Sequence, residues 1–393
     1  MNKKIIIPSI IILIIFVLYS IIGDGKKIQI MCDTIPSIQA CNDSIELKVY
    51  VENSGSMDAY MCSGSNLKEA VFDYISDLKD QCTTSSFYYI NSTIIPYKGN
   101  LTSYIKDLTP NSFAKAGGNK ADTDLGKIFD MIMKESDKNT VSVLVSDCIL
   151  DIPQNALDYL GICQVSIKNT FKEALKVNPM LGVEIIKLDS KFEGYWYCGK
   201  NKELLKDVIR PYYIWVMGNQ RVLAAFNKKT PVENIIGGIK EYCAYADSQT
   251  FPFDIEKKNY VLNNANKNKI KVDLLIDLSQ SLQKNDICIN KTYFKTNESV
   301  EIKSINRITS KNSKYSHVIQ LEIKNPSKVN NVQITFSYPS MLDWVILSND
   351  LTGTNVKANL DKTTGIESIV RGVAEAYKDN SIYGTISFDI KNK

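Results

Sequence analysis

The sequence predicts an α/β protein built on a doubly wound, mostly parallel sheet, followed by a β-rich, sandwich-like second domain and preceded by an N-terminal transmembrane helix. Three observations predict it. Strand-like and helix-like segments alternate between residues 44 and 250, the pattern of a sheet wrapped on both faces. From about Phe253 onward Asn and Lys become dense and short strand-like pieces dominate. At the amino terminus a nearly unbroken apolar run extends from Ile5 to Ile22. The 393 residues therefore divide into a signal anchor (1–25), a linker (26–43), an α/β domain (44–250) and a β-rich domain (251–393), in keeping with about two domains for a chain of this length.

The elements follow in order. The apolar run approaches the ~20 residues that a spanning helix needs, and Lys3, Lys4, Lys26 and Lys27 flank it. Neither a small-x-small cleavage site nor a lipobox follows it, which favours an uncleaved anchor over a removed signal peptide. Lysine bias across the span is weak, and an extracytoplasmic body is the better reading. Ile45-Glu-Leu-Lys-Val-Tyr-Val51 alternates as a strand does at its start. Leu67, Ala70, Val71, Tyr74, Ile75 and Leu78 recur at helical spacing, with Asn66 and Glu69 placed as a cap. Phe87 to Tyr97 is aromatic and β-branched, Leu101 to Leu108 suggests a short helix, and Leu125, Ile128, Phe129 and Ile132 mark another helix face. Thr140 to Ser146 is apolar enough for a central strand, and an insertion follows from Asp151 to Asn169. Val183–Leu188 and Tyr212–Met217 are two further strands. A capping box of Thr230 and Glu233, with Pro231 in the first turn, introduces a helix carrying Ile235, Ile236, Ile239 and Tyr242.

Composition excludes several functions. Forty-seven Lys and Arg against forty-three Asp and Glu leave a formal charge of +4 with no polybasic run, which argues against nucleic-acid binding. The single histidine, His317, removes multi-histidine zinc sites and most Ser-His-Asp or Cys-His schemes, so no catalytic residue is assigned and the protein is not expected to be an enzyme. Nine cysteines without a C-x-x-C pair leave both a disulfide pattern and buried thiols open. Gly117-Gly118 lacks the Gly-Lys-Ser/Thr of a phosphate loop.

One constellation remains. Val51-Glu-Asn-Ser-Gly-Ser-Met57 closes the first strand of the α/β domain, Asp122-Thr-Asp124 opens a later helix, and Ser146-Asp147 ends the central strand. In an open parallel sheet the carboxyl ends of the strands are where ligands bind, and oxygen donors alone suit hard cations. The three segments together offer oxygen donors for such a cation. In residues and order, over residues 44–245, this resembles the von Willebrand factor A domain with its metal-ion-dependent adhesion site, Asp-x-Ser-x-Ser followed by Thr and Asp. The resemblance makes Glu52, Ser54, Ser56, Thr123 and Asp147 a candidate metal site and implies direct or near-direct ligation by Ser54, Ser56 and Thr123. It also implies contacts through bound water by Glu52 and Asp147, a divalent cation (Mg, Mn or Ca), and an open position for a partner's carboxylate. Glu52 departs from the family's first Asp by one methylene. The expectation is a membrane-anchored, extracytoplasmic binding protein that engages a protein partner with help from the cation. The alternative is a metal-free scaffold of an envelope or secretion assembly. A second string, Asp277-Leu-Ser-Gln-Ser281, matches the pattern more literally but lacks the later elements and reads as a strand edge. His317 and the aromatic runs at Tyr195–Tyr197 and Tyr212–Trp215 read as packing.

Overall fold

Burial patterns follow the side-chain periods closely. The computed structural model describes residues 26–32, 44–120, 124–152, 156–262, 268–310, 312–339, 341–377 and 382–393. In β1 (Lys27–Met31) only Ile28 and Ile30 are buried, whereas the end of β2 (Glu46–Glu52) is buried at consecutive positions, as a strand covered on both faces must be. α1 (Leu67–Lys79) turns the six apolar residues noted above inward, although Asn66 makes no side-chain cap. β3 (Thr84–Ile90) and β4 (Ile94–Tyr97) pair as a hairpin. α2 (Leu101–Lys106), α3 (Pro110–Ala116) and α4 (Leu125–Lys134) start at Asn100, Thr109 and Asp124, whose side chains accept from Ser103, Ser112 and Lys127 backbone N–H groups. β5 (Thr140–Ser146) is buried at every position. α5 (Ala156–Val177) occupies most of what the sequence presents as an insertion. β6 (Leu181–Cys198) and β7 (Asn201–Asn219) follow, then α6 (Gln220–Lys229) and β8 (Glu241–Tyr245).

These strands form a seven-stranded sheet in the order β4-β3-β2-β5-β7-β6-β8. Only β3, β2 and β5 run parallel; β4, β7, β6 and β8 are each antiparallel to their neighbours. The expected doubly wound, mostly parallel sheet is therefore corrected to a mixed sheet with a three-stranded parallel centre. The two segments read as separate strands, Val183–Leu188 and Tyr212–Met217, lie in the two arms of one long hairpin, with Ile185 opposite Trp215. Gly199, at φ +58°, turns this hairpin, so no crossover helix intervenes. The helix expected from Thr230 to Tyr242 does not form either. Val232–Asn234 makes one short turn, Gly237 and Gly238 take φ of +86° and +72°, and Glu241 already starts a strand.

β9 (Phe253–Ile255), β10 (Asn259–Val261), β11 (Lys269–Ile276), α7 (Asn285–Ile289), β12 (Phe294–Thr296), β13 (Val300–Arg307), β14 (His317–Lys324) and β15 (Asn331–Ser337) come next. After α8 (Asp343–Leu347), β16 (Asn349–Asp350), β17 (Thr363–Thr364) and α9 (Ile366–Ala374), the chain ends with β18 (Ile382–Asn392). Two antiparallel sheets result, β10-β1-β18-β15-β12 and β13-β14-β11-β9. β1, from the stretch read as linker, thus lies beside the last strand of the chain. α9 is tied to α5 by Gln164 and Lys168, which hold the Glu375 carboxylate at 2.8 and 2.9 Å.

The excursion carrying β16 and β17 leans on the seven-stranded sheet. Arg210, a fully buried guanidinium on β7, donates to the carbonyls of Asn359, Leu360 and Lys362 at 3.5, 3.4 and 3.1 Å, and Lys187 donates to Ser348 Oγ at 2.7 Å. Arg210→Leu removes all three partly buried hydrogen bonds, a loss on the order of 3 kcal/mol. Limited proteolysis is expected to cut residues 353–362 sooner in the variant, and an unchanged cleavage pattern would show that Arg210 does not anchor the excursion.

Among the described residues no helix is long and apolar enough to cross a membrane. The run from Ile5 to Ile22 lies outside the described residues. The expected transmembrane helix, and with it the single-pass, extracytoplasmic placement, is therefore not supported by the described residues.

Candidate functional site

The site is built where β2 and β5, parallel neighbours, end side by side. Glu52, the last residue of β2, is opposite Ile90 of β3, and the Asn53 N–H continues the ladder to the Ile90 carbonyl at 3.0 Å. The chain then leaves the sheet through Ser54-Gly55-Ser56 into a short turn, Met57–Met61, anchored by buried Met57, Ala59 and Tyr60. That anchoring brings the two serines back over the strand end, their hydroxyl oxygens 3.3 Å apart. From β5 comes Ser146, whose hydroxyl accepts from the Cys148 N–H at 2.8 Å and donates to Glu52 Oε2.

Asp147 follows, and Cys148 then takes a left-handed φ of +55°, uncommon for a residue with a Cβ. This conformation is held from the side: Trp215 Nε1 donates to Cys148 Sγ at 3.2 Å, and the Trp215 ring packs against Phe129 at 4.8 Å. The Leu150 N–H is bonded to the Thr364 carbonyl, the Cys198 thiol reaches the Leu150 carbonyl, and the Gly199 N–H is bonded to the Asp151 carboxylate. The hairpin tip is thus fastened onto the loop after β5, and Tyr197 lies against Gly55, where an added Cβ would sit 3.4 Å from the ring.

A cavity of about 360 Å³ remains between these pieces, lined by Glu52, Ser54, Ser56, Lys120, Asp151 and Tyr197 among others. The Lys120 ammonium is engaged by both oxygens of Asp58 at 2.8 Å. Burial, and next the negative charge of Asp147, push Glu52 up to about 8, against hydrogen bonds from Ser146 and Ser54. Asp147 is also raised, by burial, while Ser56, the Ile149 N–H and the Arg210 charge oppose the shift. One oxygen of Asp147, Oδ2, is buried and has no hydrogen-bond partner among the described residues.

Of the five residues assigned from sequence, the structure gathers Glu52, Ser54, Ser56 and Asp147 at one sheet edge; Thr123 lies outside the described residues. Among the described residues no group of three or more His, Cys, Asp or Glu side chains is placed to hold a metal ion. Two carboxylates meet here beside the Ser54, Ser56 and Ser146 hydroxyls, so no metal-binding group is shown among the described residues. Asp277, the start of the second string, caps a short turn after β11 by accepting from the Ser279 N–H and hydroxyl. His317 sits on β14 with Nδ1 2.8 Å from Ser316 Oγ, between β11 and β13, and takes no part in the site.

Sequence reasoning missed Tyr197, Lys120 and Asp151. The signal for Tyr197 was present: Tyr195 and Tyr197 flank buried Trp196 in strand alternation, and both rings are exposed, at 44% and 38%. Compared by sequence with known proteins, the chain matches no family model and no curated protein.

Proposed function

We propose that this chain is a binding protein that engages a protein partner through the cavity at the ends of β2 and β5. The partner's donor group meets the Glu52 and Asp147 carboxylates directly. The observation that carries this reading is Asp147 Oδ2. Among the described residues it is the one buried carboxylate oxygen without a donor, and leaving such a group unsatisfied costs on the order of 1–3 kcal/mol or more, which a donor from a partner would recover. Exposed Tyr195 and Tyr197 beside the cavity add the aromatic surface on which protein interfaces are commonly anchored.

The test is site-specific photocrosslinking. A benzoylphenylalanine placed at position 197 in cell extract is expected to capture a discrete partner. The same probe at position 177, an exposed valine at the far end of α5, is expected not to. Capture from both positions alike, or from neither, would count against the reading.

A further inference from the structure

The second constellation of buried polar groups lies away from that cavity, where β6 and β8 meet the segment that follows β11. Glu184 on β6 is buried, with Oε1 2.6 Å from Tyr242 Oη on β8 and 2.5 Å from Asn227 Nδ2 on α6. The same Tyr242 oxygen lies 2.7 Å from the Leu282 carbonyl. A carbonyl only accepts, and a phenol carries one proton, so Tyr242 cannot donate to both neighbours. Both contacts are hydrogen bonds only when Glu184 itself donates to the phenol oxygen, and that requires a neutral carboxyl.

We propose that Glu184 is the proton-carrying member of a clasp that fastens residues 278–289 to the seven-stranded sheet, and that the clasp opens when this proton is lost. Once ionised, Glu184 is the stronger acceptor and draws the phenol proton to itself, and the Tyr242 bond to Leu282 is given up. A neighbouring tie remains, from Gln283 Nε2 to the Ala244 carbonyl at 3.0 Å, so the segment loosens around Leu282 without leaving the sheet.

The groups around Glu184 suit this role. α1 contributes Tyr74, α6 contributes Asn227, the turn after α6 contributes Glu233, and β8 contributes Tyr242. On β7 the residue opposite is Val216, which does not titrate. Lys284 stands beyond the phenol, 5.3 Å from the ring centre, and among the described residues no cation lies within 4 Å of the carboxylate. Burial first, with the negative Glu233 adding, pushes Glu184 up to about 7, while Tyr242 and Asn227 oppose. The geometry therefore changes state close to neutral pH. Glu184, Tyr242 and Asn227 take no part in the carboxylate cavity, and the clasp stands whether or not a partner binds there.

Hydrogen exchange of the full chain, followed by mass spectrometry and corrected for the intrinsic pH dependence, tests this. Protection of residues 278–289 is expected to fall by about tenfold between pH 6 and 8 in the natural protein. Glu184→Gln, which keeps a neutral donor, should hold the protection high and flat. Tyr242→Phe should make it low and flat, which guards against a variant that merely repacks. A flat natural profile, or a pH dependence that survives in either variant, overturns the proposal.

Discussion

Raising the pH from about 5 to 8 is expected to destabilise the folded chain, because two buried glutamates hold protons that the unfolded chain releases. Burial lifts Glu52 to about 8 and Glu184 to about 7, from an ordinary 4.5. Below the ordinary value both states are protonated and the folded state has its full stability. Above it the unfolded chain sheds protons that the folded chain keeps, so stability falls by up to about 1.4 kcal/mol per pH unit for each group. The fall continues until the pH passes the folded values. At pH 7 each glutamate has cost roughly 3 kcal/mol relative to acid conditions. Asp137 and Asp254, both lowered, act in the opposite sense only at more acid pH, and the single histidine, His317, lowered by burial, offsets part of the decline below its ordinary 6.5. Urea unfolding midpoints at pH 5, 6, 7 and 8 should therefore decline steadily. Glu52→Gln with Glu184→Gln should flatten the curve, and a midpoint that rises across this range would refute the assignment of both groups.

The second large effect is expected from Trp215→Ala. The ring is fully buried, packs edge-on to Phe129 and donates to the Cys148 thiol, so the substitution leaves a cavity and an unsupported backbone at once. Large-to-small changes of this kind cost about 3–5 kcal/mol. The additional consequence is local. Without the bond from the indole, the left-handed Cys148 loses the contact that holds it, and Asp147, one residue earlier, loses its fixed position. Trp215→Phe keeps most of the volume and not the donor, so it should recover most of the stability and less of the order at the site. Thermal melting gives the first quantity, and exchange of the Asp147–Leu150 amides gives the second. Equal recovery of both in the Phe variant would show that packing alone positions the loop.

The sequence made the strand ends legible and the sheet directions illegible. Glu52 and Asp147 were read as neighbours because each terminates an apolar run, and such runs become central parallel strands with their ends together. The directions of β6, β7 and β8 depend on turns instead. Gly199 turns β6 back into β7, and the Gly237-Gly238 pair breaks the chain where helical spacing and a capping box argued for a continuous helix, so that tertiary pairing overrode both signals. α5 escaped notice because its apolar positions include exposed Ile162, Val165 and Val177, which blur the one-sided pattern of a surface helix. Tyr197 could not be placed at the cavity without knowing that β6 extends well beyond the sheet edge as a hairpin arm. Arg210 gave no sequence signal, since its partners are backbone carbonyls some 150 residues away.

The central claim is that the carboxylates of Glu52 and Asp147 meet a partner directly. Its most direct test is a titration of the partner captured through position 197 against the natural protein and Asp147→Asn, each in EDTA and in excess magnesium. The account predicts one dissociation constant for the natural protein in both buffers and binding at least about tenfold weaker for the variant, the ~1.4 kcal/mol that a lost buried hydrogen bond represents. Binding that disappears in EDTA would place a metal ion between partner and carboxylates, and equal binding by Asp147→Asn would remove Asp147 from the interface; either contradicts the account.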